Sequence, residues 1–257
     1  MSNLALALHQ FRHDQKTFWR NPTSVFFTVI FPVIFLVIFN TIFGNDRIEE
    51  LGGITTSTYY VPAIVTLAVV SATLQSLAVN LTVDRENGIL KRGRGTPLPS
   101  WAFFAGRVGN SVVVSVLLTV VVTVIGRVFY DVSVPFDRLP AVAVTLAIGA
   151  AAFCCLGVAL TAAIPSEDAA APIANVAVLP LYFLSGVFIP ATEIPAGVLQ
   201  VADIFPIRHF FEAFFTAFSP TTGGAGFEWG HLGIVALWGL AGLLLALRFF
   251  RWTPRAG

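Results

Sequence analysis

Charge is what this sequence has least of. Only 11% of its 257 residues are Asp, Glu, Lys or Arg, against about 25% in a soluble domain. So few charges cannot cover a water-facing surface. With 56% hydrophobic residues and a mean hydropathy of +0.81, the scarcity excludes a soluble globular protein and points to a polytopic membrane protein. Cysteine is nearly missing too. Cys154 and Cys155 are adjacent inside an apolar run, which makes no disulfide framework and reads as two small packing residues. A net charge of +1 excludes a strongly basic nucleic-acid binder, so no nucleic acid is expected among the partners.

Reactive motifs are also absent. The chain contains no H-E-x-x-H, no G-x-S-x-G and no G-x-x-x-x-G-K-[ST], so it has no P-loop to cradle nucleotide phosphates. Gly93–Leu98 holds two glycines but neither the Lys-Ser/Thr nor the preceding strand that a P-loop needs. His209 and Glu212 stand one turn apart as H-x-x-E, a pair able to hold a metal in principle, but two ligands without a third are a weak site. No internal repeat and no second soluble domain are visible, and the mixed polar and apolar first twenty residues predict no cleaved signal peptide. Thirteen of the fifteen basic residues are Arg, in keeping with a GC-rich bacterial source.

What is present is a series of apolar runs. Leu4, Leu8, Phe11 and Phe18 recur at near-helical spacing, with Gln10, His13, Asp14 and Lys16 largely elsewhere on the wheel. That predicts an amphipathic helix lying in the membrane interface, with Trp19 and Arg20 at headgroup level. Asn21-Pro22 breaks it. Spans of about the length that crosses a ~30 Å hydrocarbon core follow at 24–43, 58–81, 108–130, 140–164, 172–189 and 231–249. Pro32 and Pro180 predict kinks in the first and fifth. The fourth is rich in Ala and Gly, which lets a neighbouring helix approach closely. Residues 190–229 are apolar but broken by Pro190, Pro195 and Pro206, and charged at Glu193, Asp203, Arg208 and Glu212. No uninterrupted span fits there; two short helices dipping into the membrane edge do. The expected fold is therefore an all-α membrane protein forming one domain over 1–257. It comprises an N-terminal interfacial helix (1–23), a six-span body (24–249) with a re-entrant helical hairpin between spans five and six, and a tail (250–257).

Basic residues set the orientation. The N-terminus, 82–107 and the C-terminus hold eleven, and the other side holds Arg47, Arg127, Arg138 and Arg208. The positive-inside rule places the richer side, with both termini, in the cytoplasm. Arg127, in the last turn of its span, either snorkels to the headgroups or touches substrate. The polar positions of the spans either line a path or bond helix to helix; the candidates for a path are Gln75, Asn80, Asn110, Asn175 and Ser185. One cytoplasmic block stands out: Asp84 to Arg107, with five Lys or Arg in twenty-four residues.

That block carries a resemblance. Asp84-Arg85-Glu86, Gly88 and Leu90, then Thr96-Pro97-Leu98 and Gly106-Arg107, are similar to the segment after the second span in permease subunits of ABC-2 type exporters. Arg20-Asn21-Pro22 with Pro32 resembles that family's interfacial helix and first span. Ser185-Gly186, Pro190, Pro195 and Phe205-Pro206 resemble its fifth span and outer hairpin, with Phe205 where Asn is commoner. The resemblance implies a half-transporter of a bacterial plasma membrane. Two permease copies, identical or related, pair in the lipid, and two copies of a P-loop ATPase of the ABC type bind beneath them. This chain then needs no cofactor of its own, because ATP and Mg are held by the partner ATPase. The ATPase would push on Asp84, Arg85, Glu86, Gly88 and Leu90, on the interfacial helix, and on the short link at Glu167 and Asp168. Arg85 and Glu86 are expected on the surface, Gly88 to allow close backbone approach, and Leu90 to anchor the partner. The cargo is an amphipathic drug-like, natural-product or lipidic molecule; a glycan or lipid-linked polymer is the alternative. From other classes, a membrane enzyme using His209 and Glu212 and a passive channel or membrane anchor remain, although no ion-filter motif is present.

Overall fold

The computed structural model describes residues 3–44, 46–49, 52–95, 99–220 and 224–254. Thr96-Pro97-Leu98, part of the resemblance, lies outside the described residues. The chain begins with α1 (Asn3–Arg20), followed after Asn21 by α2 (Pro22–Val25), a π-helical turn (Phe26–Ile30) and α3 (Phe31–Phe43). Pro32 supplies no N–H to the ladder. The irregularity beside it is the π turn, where the Phe31 N–H reaches back to the Phe26 carbonyl. A two-residue ribbon, β1 (Arg47–Ile48) and β2 (Ile54–Thr55), pairs antiparallel with Ile48 opposite Ile54.

The centre of the molecule is α4 (Thr56–Val70), a second π turn (Ser71–Gln75) and α5 (Ser76–Glu86), which run on as one helix. Thr55 caps it, its hydroxyl accepting from the Thr58 N–H. Every residue of α4 is buried; a helix apolar all round belongs inside. Its polar side chains mostly bond backward along the same helix: Thr66 to the Pro62 carbonyl, Thr73 to Val69 and Thr82 to Ala78. These hydroxyls are taken up by their own helix, and not from helix to helix as the sequence alternative had it.

After Gly88 comes α6 (Ile89–Arg94), then α7 (Ser100–Tyr130). At 31 residues α7 is about 46 Å long. It starts eight residues before the sequence-predicted span and projects beyond a ~30 Å core. The projecting turns bury Ala102, Phe103 and Gly106 and carry α1 against them. A 3-10 turn (Phe136–Arg138) leads into α8 (Leu139–Leu160), whose small buried residues Gly149, Ala152 and Gly157 admit Phe210, Gly239 and Leu74 closely. Then follow α9 (Ala170–Leu184), α10 (Ala196–Ala202), α11 (Pro206–Phe218) and α12 (Trp229–Phe249).

Among the described residues, four helices are long and apolar enough to cross a membrane: Thr56–Glu86, Ser100–Tyr130, Phe136–Leu160 and Trp229–Phe249. Thr28–Phe43 and Ala170–Leu184 are apolar but shorter. The fifth predicted span stops early because the chain turns at Ser185-Gly186, where the Ser185 hydroxyl bonds the Tyr182 carbonyl and the Gly186 carbonyl accepts from the Tyr59 hydroxyl. Of the two short helices between α9 and α12, α11 is deeply sheltered. Its Phe210, Phe211 and Phe214 pack among α4, α8 and α12, as irregular backbone at membrane depth requires.

Candidate functional site

At the end of the molecule that carries most of the basic residues, three segments far apart in sequence meet. They are α1, the α5–α6 turn and the link 165–169. Helix α5 ends at Asn87, and Gly88 sits at φ +69°. That left-handed conformation costs other L-residues roughly 1–2 kcal/mol. The chain reverses there into α6, with the Arg92 N–H closing on the Gly88 carbonyl at 3.1 Å. A side chain built on Gly88 would meet nothing. Within this chain the residue is glycine for its backbone angle, since no neighbour of the same chain approaches it.

Arg85 is a buried strut, 1% exposed. Its Nη1 donates to the Thr161 carbonyl at 2.8 Å and its Nη2 to the Ile164 carbonyl at 2.7 Å. These carbonyls follow the C-terminus of α8, where unpaired acceptors and the negative end of the helix dipole collect. Nε pairs with Glu86 at 2.6 Å, and the Glu86 side chain is itself only 9% exposed. The expectation of Arg85 and Glu86 on the surface is therefore corrected: this charge pair is committed within the chain. Leu90 is corrected likewise. At 1% exposure it anchors an internal cluster with Leu77, Leu81, Phe103 and Val158. Beside that cluster, Phe104, Phe250 and Trp252 pack edge to face, and the Arg94 guanidinium lies 5.9 Å above the Trp252 ring.

A second arginine ties in α1. Arg107 on α7 bonds the Asp84 carboxylate and lies 3.7 Å from the buried Asp14 of α1. Gln10 Nε2 holds the other Asp14 oxygen at 3.0 Å. The crossing of α1 over α7 is possible because position 106 is glycine, where a Cβ would stand 2.6 Å from the Gln10 Cγ. The wheel placed Asp14 on a polar outer face. It faces inward because Arg107 gives its charge a partner, which a helical wheel cannot see. The third tie is Asn87, whose Nδ2 donates to Glu167 Oε2 at 2.9 Å. The structure thus brings Asp84, Arg85, Glu86, Gly88, Leu90 and Glu167 into one block, with Asp168 exposed beside it. What the block presents outward is Asn87, Ile89, Lys91, Arg92, Glu167 and Asp168. Asn87 and Ile89 were missed in the sequence; the Asn-Gly pair at 87–88 was the available signal for a turn.

The path candidates are not gathered together. Gln75 Nε2 bonds Asn175 Oδ1 at 3.1 Å, joining the second π turn to α9 on an open face. Asn80 bonds Ser76 in its own helix. Ser185 is buried in the turn after α9. Asn110 lies on α7 in the turn after Arg107, its Oδ1 buried and without a partner among the described residues.

The alternative built on His209 and Glu212 also separates. His209 Nε2 meets the Asp203 carbonyl at 2.8 Å, so that nitrogen carries the proton and Nδ1 faces His231 Nδ1 at 2.7 Å. Glu212 instead pairs with Arg208 at 3.6 Å. The two side chains do not share a site, and no group of three or more His, Cys, Asp or Glu able to hold a metal occurs among the described residues.

Comparison with known proteins adds one finding. No curated protein matches this chain, but the family described as ABC-2 type transporter matches it over residues 9–218. The matched stretch runs from α1 through the α5–α6 turn to the end of α11, taking in both the basic-end block and the sheltered hairpin. On that match, the chain belongs to the ABC-2 type transporter family, as the membrane-spanning permease subunit of an ABC transporter.

Proposed function

We propose that this chain is the permease half of an ATP-driven exporter, and that the block at Asp84–Arg94 is where the partner ATPase applies force. The observation that carries the reading is the locking of four segments by two arginines. Arg107 joins α1, α5 and α7, and Arg85 joins α5 to the end of α8. A push on any one of these segments moves all of them, because charge-assisted bonds are directional and resist sliding. The basic end is the cytoplasmic end of a bacterial plasma-membrane protein, by the positive-inside rule, and both termini lie there. The contact surface for the ATPase is the outward set: Asn87, Ile89, Lys91, Arg92, Glu167 and Asp168. Asp84, Arg85, Glu86, Gly88 and Leu90 act behind it, as the frame that keeps the surface in place.

Two permease copies pair through the face bearing α3 and α9, where Gln75 and Asn175 form a polar pair on an otherwise apolar surface. Such a pair is better matched by a second protein surface or a hydrated path than by lipid tails. Movement of the locked block shifts the dimer between inward-open and outward-open states, whose balance ATP binding in the partner biases. The six-span arrangement needs α3, with the helical turns before it, and α9, with the turn after it, to complete the crossings made by the four longer helices. The cargo expected from the family likeness is an amphipathic drug-like, natural-product or lipidic molecule.

The test is co-purification of the tagged chain with its P-loop ATPase. Lys91→Glu with Arg92→Glu is expected to release the ATPase while leaving the permease folded, and Glu86→Ala to lower transport-coupled ATP turnover through loss of the Arg85 strut. If no ATPase accompanies the wild type, or the double charge reversal retains it with normal coupled turnover, the contact is elsewhere.

A further inference from the structure

Arg127 is the arginine that the function leaves unused. It stands one turn from the end of α7 at the end of the molecule opposite the basic block. Its closest partner is the Val132 carbonyl, at a long 3.4 Å. Among the described residues it forms no ion pair, whereas Arg85, Arg107, Arg138 and Arg208 all do. Beside it opens a groove of about 630 Å³ between α7 and α8, walled by Val120, Val124, Phe136, Ala143 and Ala147. The lining runs from Val112 to Val128 along α7, about 24 Å at the helical rise. One leaflet of a ~30 Å core is about half that core, so the groove takes a full acyl chain. Among the described residues, the only ionisable side chain in its lining is Arg127.

We propose that this groove is a site for one phospholipid with an anionic headgroup, its acyl chain between α7 and α8 and its phosphate on Arg127. A tail leaving the bilayer for the groove exchanges one apolar surrounding for another, so the apolar walls supply little selectivity. Selection comes from the guanidinium charge. Its planar donors suit the phosphate of any phospholipid, but a net attraction survives only where no headgroup cation offsets that phosphate, and near the end of a span the side chain snorkels to the headgroup layer. A second permease copy is a poorer occupant. Helix α7 packs mainly on α1, α4 and α8 and touches α3, while α9, with its polar pair on the proposed dimer face, packs on α5, α10 and α11; both also meet the second π turn, but the groove itself opens between α7 and α8 and not beside α9. The groove is thus built on a different set of helices from the proposed dimer face.

The experiment places the full chain in nanodiscs of phosphatidylcholine with a minor share of phosphatidylglycerol, then counts retained lipids by native mass spectrometry. Wild type is expected to retain phosphatidylglycerol enriched about tenfold over its share, the scale of one charge-assisted bond. Arg127→Gln should lose the enrichment yet keep a lipid. Ala147→Phe, which fills the groove from an exposed position, should expel both lipids with an unchanged thermal midpoint; Ala143→Phe repeats that arm if Ala147→Phe unfolds the chain. The proposal is overturned if wild type retains both lipids in proportion to their supply, if Arg127→Gln keeps the enrichment, or if the filled groove retains lipid as wild type does. It is overturned too if filling the groove splits a permease dimer, because the groove is then a protein interface.

Discussion

Two arginines, one at each end of the molecule, do the same local job with different consequences. Arg85 bonds the carbonyls that follow α8, and Arg138 bonds the Ser219 carbonyl at 2.7 Å and that of Thr216 at 3.4 Å, at the end of α11. Both satisfy acceptors that a helix end leaves open. Arg85, however, is enclosed with a carboxylate that is also enclosed, while the counter-ion of Arg138 is Asp137, 3.7 Å away with its side chain 79% exposed. Around Arg85 the chain is held by directional charged bonds. Around Arg138 and the hairpin, apart from the Arg208 ion pairs with the half-exposed Asp203 and with Glu212, it is held by aromatic packing: Phe39, Phe43 and Tyr60 cluster face to face, and Tyr59 meets Phe211 and Phe215. Bonded charges hold one geometry or break, while stacked rings accept small displacements. The basic end is therefore built to move as a unit, and the opposite end to give.

The largest expected effect tests that contrast directly. Arg85→Ala should cost about 3–5 kcal/mol of stability, because it takes the guanidinium away from an enclosed carboxylate and from two buried carbonyls. Arg138→Ala should cost about 1–3 kcal/mol, because Asp137 stays in water. Thermal unfolding of the two variants in one detergent checks the order, and an equal or greater loss for Arg138→Ala would break the comparison. Next, Gly106→Leu should force α1 off α7, with a loss of about 1–3 kcal/mol from overpacking. Hydrogen exchange should then rise through α1 and leave α11 unchanged. Gly88→Val should cost roughly 1–2 kcal/mol through backbone strain, and Gly88→Asn clearly less, since Asn tolerates the left-handed region. The smallest effect is Asn87→Ala, about 0.5 kcal/mol for an exposed hydrogen bond. Its signature should be lost coupling to the 165–169 link, with little change in unfolding temperature.

The sequence carried much of this architecture, but unevenly. Apolar runs showed where the helices lie, and the charge of Asp84–Arg107 with the short link at Glu167-Asp168 marked the end where α1, the α5–α6 turn and that link meet. Which side chains of that block face inward was not readable. Gly88 breaks the helical phase between Arg85 and Leu90, so no single wheel places both. The partners that bury the charges are also remote: Arg107 reaches Asp84 and Asp14, and Arg85 reaches carbonyls beyond α8 that have no sequence signature at all. His209 had the same problem. Its visible neighbour was Glu212, one turn away, but its bonded partner is His231, on the next helix. Periodicity reports which face of an element is apolar, and it cannot report which distant group neutralises a charge.

The most direct measurement uses Ile89, exposed on α6 at the centre of the outward set. With Cys154 and Cys155 replaced by Ala, Ile89→Cys is labelled by a membrane-impermeant maleimide in intact cells and in inverted membrane vesicles, with and without the ATPase. The expected result is no labelling in cells, rapid labelling in vesicles stripped of the ATPase, and at least about tenfold protection when it is restored, as for a site buried in a protein contact. Labelling from outside the cell, or equal labelling with and without the ATPase, would contradict the claim that this block is the cytoplasmic seat of the motor.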